Sequence, residues 1–213
     1  MEIKFICVKI CMLTTGGNYM NIANKITVAR MVLVVGMIAL LLCAPSDALS
    51  GYGWAKVVGG VVFAIAAFTD FLDGHIARSR GMVTTFGKFL DPIADKLLVN
   101  STFIIFSSCV LPGVRVLPII TVIMIGRDIM VDAIRMIMVD KKVVIAASKL
   151  GKLKTVTQIF AILALFFLPT SVSWCVGEWY SISACLTYLA AAISLISGID
   201  YFWKNRKPLL TDM

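Results

Sequence analysis

Six long apolar segments, separated by short polar connections, occupy most of the 213-residue chain. The chain is 60% hydrophobic and its mean hydropathy is +0.94. Because a helix of about 20 apolar residues crosses a bilayer, we predict an all-α, polytopic membrane protein with six transmembrane helices. The fifth segment is short, and the sequence is also compatible with a start nearer Ser148. The predicted spans are Ile26–Leu42, Trp54–Phe71, Ile93–Leu111, Val116–Val139, Val156–Leu168 and Tyr180–Trp203.

The distribution of basic residues predicts the orientation of the chain in the membrane. Lysines and arginines cluster before the first span, in the second-to-third connection, after the fourth span and after the sixth. The opposite connections hold only Lys56 and Arg115. By the positive-inside rule we predict a multi-pass protein of the cell's inner (cytoplasmic) membrane, with both termini cytoplasmic. The net charge of +8 then indicates contact with anionic membrane lipids. We predict no nucleic-acid partner, because the basic residues do not lie on a soluble domain.

The chain divides into three parts by composition. Residues 1–20 are predicted to be an N-terminal extension, either disordered or upstream of a true start at Met20. Residues 21–207 form the membrane domain and residues 208–213 a short tail. We interpret the stretch up to Arg30 as an interfacial helix that enters the first span, with Arg30 snorkelling to the surface. In the alternative, Asn24, Thr27 and Arg30 border a cytoplasmic-side active-site cavity.

Four aspartates near the second-to-third connection form one spaced array. Helical spacing places each pair of them on one stripe of a helix, next to residues with little or no side chain. Carboxylates in a membrane are costly unless a cation or a water-filled cavity compensates them. Hard oxygen ligands suit Mg²⁺ or Mn²⁺, and two such ions would neutralise a diphosphate. The array consists of Asp70, Asp73, Asp91 and Asp95, with Gly74, Ala77 and Gly87 beside them.

An alternative interpretation is that these aspartates are charges at helix ends. Pro92 suits the first turn of a helix, which would explain Asp91 as an N-terminal charge. Asp70 and Asp73 are expected at the C-terminal end of the second span, where the helix dipole disfavours anions. The helix-end interpretation therefore does not explain all four aspartates, and the sequence favours a metal site.

The array is part of a longer pattern, D-x2-D-G-x2-A-R-x8-G-x3-D-x3-D. This pattern resembles the signature of the CDP-alcohol phosphatidyltransferase family, and all eight of its fixed positions are matched. The resemblance implies a six-helix membrane enzyme, often a homodimer, that displaces CMP from a CDP-linked lipid with an alcohol. The matching residues are Asp70, Asp73, Gly74, Ala77, Arg78, Gly87, Asp91 and Asp95.

The resemblance also implies a role for each of these residues. Asp70, Asp73 and Asp91 would ligate the metal, which is Mg²⁺ or Mn²⁺ and is expected as two ions. Asp95 would complete the ligand set and act as the general base. The residues expected to bind the CDP-lipid are Asp70, Gly74, Ala77, Arg78 and Gly87.

A second group of charged residues is a candidate binding site for the alcohol. The fourth span carries Arg127, Asp128, Asp132 and Arg135 within about 140° of one helix face. Lysines follow shortly after this span. Arginine forks and lysine charges can capture a phosphorylated substrate, although pairing within the bundle and membrane topology also explain such residues. We predict that the acceptor's phosphate is bound by Arg127, Arg135, Lys152 and Lys154.

Three stretches resemble the branch of the family that uses glycerol phosphate: N-I-A-N-K-I-T-V-A-R, R-D-I-M-V-D-A-I-R and A-A-S-K-L-G-K-L-K-T. This implies CDP-diacylglycerol and sn-glycerol 3-phosphate as substrates. The branch usually has Pro where Ala23 stands, Glu where Asp128 stands and a small residue where Asp132 stands. Inositol phosphate, serine or phosphatidylglycerol remain alternative acceptors. An ion-coupled transporter is a further alternative, but the aspartates do not continue towards the outer face and no repeat is visible.

Overall fold

The computed structural model of the protein describes residues 22–49, 53–79, 85–108, 116–141, 149–168 and 182–210. All regular secondary structure in these ranges is α-helical, as the apolar segments predict. The helices are α1 (Ile22–Cys43), α2 (Ser46–Leu49), α3 (Trp54–Ser79), α4 (Thr85–Ser107), α5 (Pro118–Asp140), α6 (Lys149–Phe167) and α7 (Ile182–Leu210). The predicted extension at residues 1–20 lies outside the described ranges, and the three-part division of the chain stays a prediction.

Each of the six predicted spans coincides with one long helix, but several boundaries differ. Helix α6 begins at Lys149, which confirms the earlier of the two starts considered for the fifth segment. Helix α3 extends beyond the predicted span to Ser79, and α4 begins at Thr85, before its predicted span. These differences arise because hydropathy marks the apolar part of a helix, whereas backbone hydrogen bonds continue through the polar turns on either side.

Three helices within the described residues are long and apolar enough to cross a membrane. Their qualifying stretches are Ile26–Cys43 in α1, Leu150–Phe167 in α6 and Ile182–Arg206 in α7. Helices α4 and α5 are of comparable length, 23 residues each, but they carry several charged residues within the apolar sequence. Among those charged residues, Asp91, Asp95, Arg127 and Arg135 have predicted functions. The protein is therefore an integral membrane protein.

The described residues form two compact units, each considered by itself. Unit 1 comprises residues 22–37 with 61–79 and 85–98, and unit 2 comprises the remaining described residues. In unit 2, α7 packs against both α5 and α6. One face of α7 is built from small residues, which let neighbouring helices approach closely in a membrane. Its buried residues at helical spacing are Ser183, Thr187, Ala190, Ser194, Ser197 and Tyr201.

Apolar contacts hold the helices of unit 2 together. On α5, Val131, Ile134 and Met138 recur every three or four residues and form a buried cluster with Tyr201 of α7. At the other end, the rings of Phe106 and Phe166 meet edge to face with centroids 4.8 Å apart. Such a pair stabilises by about 0.5–1.5 kcal/mol beyond its buried area. This packing fixes the rotation of α5 about its axis and so determines which of its charged residues face α7.

Candidate active site

The aspartate array lies on two helices of unit 1. Helix α3 carries Asp70 and Asp73, and α4 carries Asp91 and Asp95. The backbone is therefore helical at all four aspartates, as the two predicted stripes require. The side chains of Asp70 and Asp95 are described, and each is partly exposed. Six of the eight signature residues lie outside the described side chains: Asp73, Gly74, Ala77, Arg78, Gly87 and Asp91. Their predicted roles stay predictions.

The helix-end interpretation of the aspartates is wrong. Pro92 lies inside α4, which begins at Thr85, so Asp91 is not in the first turn of its helix. Asp70 is also internal, because α3 continues to Ser79. Our expectation that Asp70 lies at a C-terminal helix end is therefore corrected as well, since the helix dipole acts only within the last turn. Neither residue is explained as a helix-end charge.

The structure pairs Asp70 with Arg30 of α1. An Nη1 atom of Arg30 forms an ion pair with Oδ1 of Asp70, and the arginine side chain is 1% exposed whereas the aspartate is 39% exposed. The sequence favoured a snorkelling Arg30, and this expectation is wrong because the residue points inward. A buried guanidinium needs a negative partner, and Asp70 supplies it while keeping part of its carboxylate exposed.

A pattern in the sequence could have revealed this inward position. Thr27, Arg30, Val34 and Met37 are spaced by three or four residues, and all four are buried, with exposed fractions of 2% or less. Arg30 therefore lies in the middle of the buried stripe of α1. The signal was missed because an arginine near the start of a span usually reaches towards the membrane surface.

The donor chemistry of unit 1 fits a hard divalent cation. The array places carboxylates on two helices, and the Asp70 side chain, which contacts Arg30 through Oδ1, stays partly exposed. Oxygen-only ligands of this kind suit Mg²⁺ and Mn²⁺. When bound, such an ion would polarise and neutralise diphosphate oxygens.

In unit 2, the predicted phosphate-binding residue Lys154 forms a buried ion pair with Asp128. The Lys154 Nζ donates to both carboxylate oxygens of Asp128, at 2.6 Å and 2.7 Å. The two residues are 8% and 6% exposed. Two of the three N–H groups of the lysine are thus engaged by one carboxylate. This pair links α5 to α6, and both of these helices pack against α7.

Arg127 joins the same cluster from α5. Its Nη1 donates to Asp128 Oδ1 at 3.0 Å, and its Nη2 donates to Ser197 Oγ of α7 at 2.8 Å. Its Nε is buried and has no hydrogen-bond partner among the described residues. Three helices therefore hold two cations and one carboxylate together, and the buried Nε–H of the guanidinium has no acceptor in the described part of the chain.

The other two predicted phosphate-binding residues are not part of this cluster. Arg135 and Lys152 are exposed, although Arg135 shares its helix with Arg127 and Lys152 shares its helix with Lys154. Asp128 and Ser197 belong to the cluster but were not predicted as site residues. The sequence placed Asp128 beside Arg127, yet nothing in it assigned Ser197, whose contact depends on how α7 packs.

Known proteins of one family resemble most of the chain. Residues 20–196 match the CDP-alcohol phosphatidyltransferase family. A protein of Bacillus subtilis is 34% identical over 205 residues, which cover 90% of this chain and 98% of that protein. A protein of Rickettsia typhi is 35% identical over 184 residues, covering 85% of this chain and 95% of that protein. A third, from Salmonella choleraesuis, is 33% identical over 192 residues, covering 89% and 97%. All three are named CDP-diacylglycerol–glycerol-3-phosphate 3-phosphatidyltransferase.

Proposed function

The chain belongs to the CDP-alcohol phosphatidyltransferase family, and we propose that it transfers the phosphatidyl group of CDP-diacylglycerol to sn-glycerol 3-phosphate. The products are phosphatidylglycerophosphate and CMP, so the enzyme acts in phospholipid biosynthesis. The observation that carries the proposal is the complete aspartate signature on α3 and α4, in a chain that aligns over nearly the full length of relatives with this activity in their names.

In the proposed reaction, the acceptor's hydroxyl oxygen attacks the phosphorus that carries the diacylglycerol. A new oxygen–phosphorus bond forms, and the bond between that phosphorus and the oxygen of CMP breaks. The Asp95 carboxylate accepts the hydroxyl proton. Arg78 is proposed to meet the diphosphate, where its positive charge balances the charge that CMP carries away.

We propose that Asp70, Asp73, Asp91 and Asp95 hold Mg²⁺ or Mn²⁺, as two ions. Bound there, the ions would supply charge neutralisation at the diphosphate. Arg30 orients Asp70 from the side of α1, because it occupies one oxygen of that carboxylate. Gly74, Ala77 and Gly87 are proposed to leave room for the CDP-lipid beside the helix backbones.

The acceptor's phosphate is proposed to bind the cationic residues of the second group. Support comes from Arg127, whose buried Nε has no hydrogen-bond partner in the described part of the chain and whose other nitrogens are already held. A phosphate oxygen would satisfy that donor through a charge-assisted hydrogen bond. Arg135, Lys152 and Lys154 are the further proposed contacts.

We also propose six transmembrane spans, an inner-membrane location, cytoplasmic termini and a homodimer. The C-terminal end of α7 has residues that are typical of a membrane surface, which supports the proposed span formed by this helix. There the Arg206 guanidinium lies 3.8 Å from the ring centroid of Trp203, which is itself 63% exposed. An exposed tryptophan next to basic residues is typical of the interfacial region.

The test is an assay of CMP release by the purified protein in detergent–lipid micelles. CDP-diacylglycerol is offered with sn-glycerol 3-phosphate, inositol phosphate, serine or glycerol. We expect turnover with glycerol 3-phosphate and very little with glycerol, because the cationic residues would lack their anion. A preference for serine would contradict the proposed acceptor, whereas a preference for inositol phosphate would retain the phosphate site and change the alcohol.

A further inference from the structure

The side chain of Arg127 runs along a notch in α7. A Cβ atom added at Gly198 would lie 2.7 Å from Arg127 Cγ, a distance that real Cβ contacts essentially never show. Cγ is close to the backbone of the arginine, so the clash could be relieved only by moving the whole side chain. Glycine inside a helix is less favourable than alanine. Close approach by Arg127 gives a physical reason for a glycine at this position.

The neighbouring residue holds the other end of the same side chain. Ser197 is 0% exposed, and its Oγ accepts the hydrogen bond from Arg127 Nη2 at 2.8 Å. Consecutive residues of α7 thus act on Arg127 in different ways: Gly198 leaves space for the stem, and Ser197 binds the guanidinium. With Nη1 on Asp128, the orientation of the unpartnered Nε is determined by protein contacts on both sides.

We propose that Ser197 and Gly198 are positioning residues, which set the conformation of Arg127 and thereby the affinity for a phosphorylated acceptor. The proposal rests on the proposed function, in which Arg127 binds the acceptor's phosphate. A side chain at position 198 would displace the guanidinium from Ser197 and Asp128 together. The phosphate would then meet a mobile arginine in place of an oriented one, and part of the binding energy would be lost.

The experiment compares Gly198→Ala with Gly126→Ala. Gly126 directly precedes Arg127 in α5, and a Cβ added there meets no atom of the described residues within 4 Å. Both variants replace a helical glycine by alanine, so their effects on helix propensity are alike. We expect Gly198→Ala to raise the KM for glycerol 3-phosphate roughly 10- to 100-fold, the effect of losing charge-assisted hydrogen bonds. The KM for CDP-diacylglycerol should not change, and Gly126→Ala should match the wild type in both.

Two further variants separate positioning from a general structural effect. Ser197→Ala deletes only the hydroxyl and should raise the same KM by a smaller factor, even if Gly198→Ala fails to fold. In an Arg127→Ala background the clashing Cγ is absent, so Gly198→Ala should have no additional effect on that KM. An additional effect there would overturn the positioning role.

The outcomes also distinguish this inference from the proposed function. If Arg127→Ala raises the KM for glycerol 3-phosphate while Gly198→Ala and Ser197→Ala do not, only the positioning role is overturned. If Arg127→Ala leaves that KM unchanged, the phosphate-binding role of Arg127 is overturned and the inference with it.

Discussion

Replacing Asp128 by asparagine should strongly destabilise the protein, because it removes the carboxylate charge that both N–H contacts of the buried Lys154 face. The lysine Nζ lies 2.6 Å and 2.7 Å from the two carboxylate oxygens, and the side chains are only 10% and 7% exposed. Asparagine has nearly the same shape, so no cavity is created and the effect comes from the charge. Breaking a buried pair in this way costs about 3–5 kcal/mol of unfolding free energy. For a chain of this size that corresponds to a fall of roughly 6–20 °C in the unfolding midpoint.

The assay is thermal unfolding in detergent micelles, followed by tryptophan fluorescence. Asp200→Asn is the matched control, because Lys204 Nζ contacts Asp200 at a similar 2.7 Å but is 64% exposed. Removing that exposed pair should cost less than about 1 kcal/mol. Adding Lys154→Met to Asp128→Asn removes one of the two buried positive charges that Asp128 balances and should recover much of the loss, while Arg127 keeps its hydrogen bond to Ser197.

The comparison of the two aspartates decides whether burial controls the strength of these ion pairs. A loss below about 1 kcal/mol for Asp128→Asn, equal to that of Asp200→Asn, would refute the reasoning. A double variant that is as unstable as Asp128→Asn alone would also refute it, because the buried lysine charge would then not be the cause.

Three other predictions concern the proposed reaction. Asp91→Asn and Asp95→Asn should abolish CMP release without preventing membrane insertion, because an amide neither balances a metal charge nor accepts the proton. If Asp95→Asn kept more than about a tenth of wild-type turnover, Asp95 would not be the general base. Activity should disappear with excess chelator and return with Mg²⁺ or Mn²⁺ but not with Zn²⁺, and turnover in the chelator would argue against the metal site. Arg30→Ala should weaken Mn²⁺ binding, measured by electron paramagnetic resonance, about 10- to 100-fold because Asp70 loses the residue that orients it. Arg30→Lys should weaken it less, and equal affinities in all three proteins would exclude an orienting role.

The helices were largely predictable because the signals that form them are local. Apolar runs and helical spacing are both readable within one segment, and six predicted spans coincide with six long helices. The ends of α3 and α4 were not predictable from hydropathy, because these helices continue through the polar residues around the aspartate array. Because the helices continue, Asp70 and Asp91 lie inside them, and the helix-end interpretation of these two residues is wrong.

The reaction class was also determined by the sequence alone. The eight signature residues lie at set distances along the chain, and a helix converts those distances into two carboxylate stripes whatever surrounds them. The acceptor residues were less predictable. Two arginines and two lysines were chosen by type and proximity, but the structure brings only Arg127 and Lys154 into one cluster and leaves Arg135 and Lys152 exposed.

Tertiary structure alone decided which charges on different helices pair with one another. The Arg30–Asp70 pair joins α1 to α3, and the Lys154–Asp128 pair joins α5 to α6. Sequence spacing determines the angle between residues of one helix, but contact between helices depends on how each is rotated about its own axis. In this protein that rotation is set by packing, such as the small-residue face of α7 that admits Arg127 at Gly198. For this reason the sequence predicted the metal ligands and the chemistry, and only the packed helices determined which charged residues of different helices contact each other.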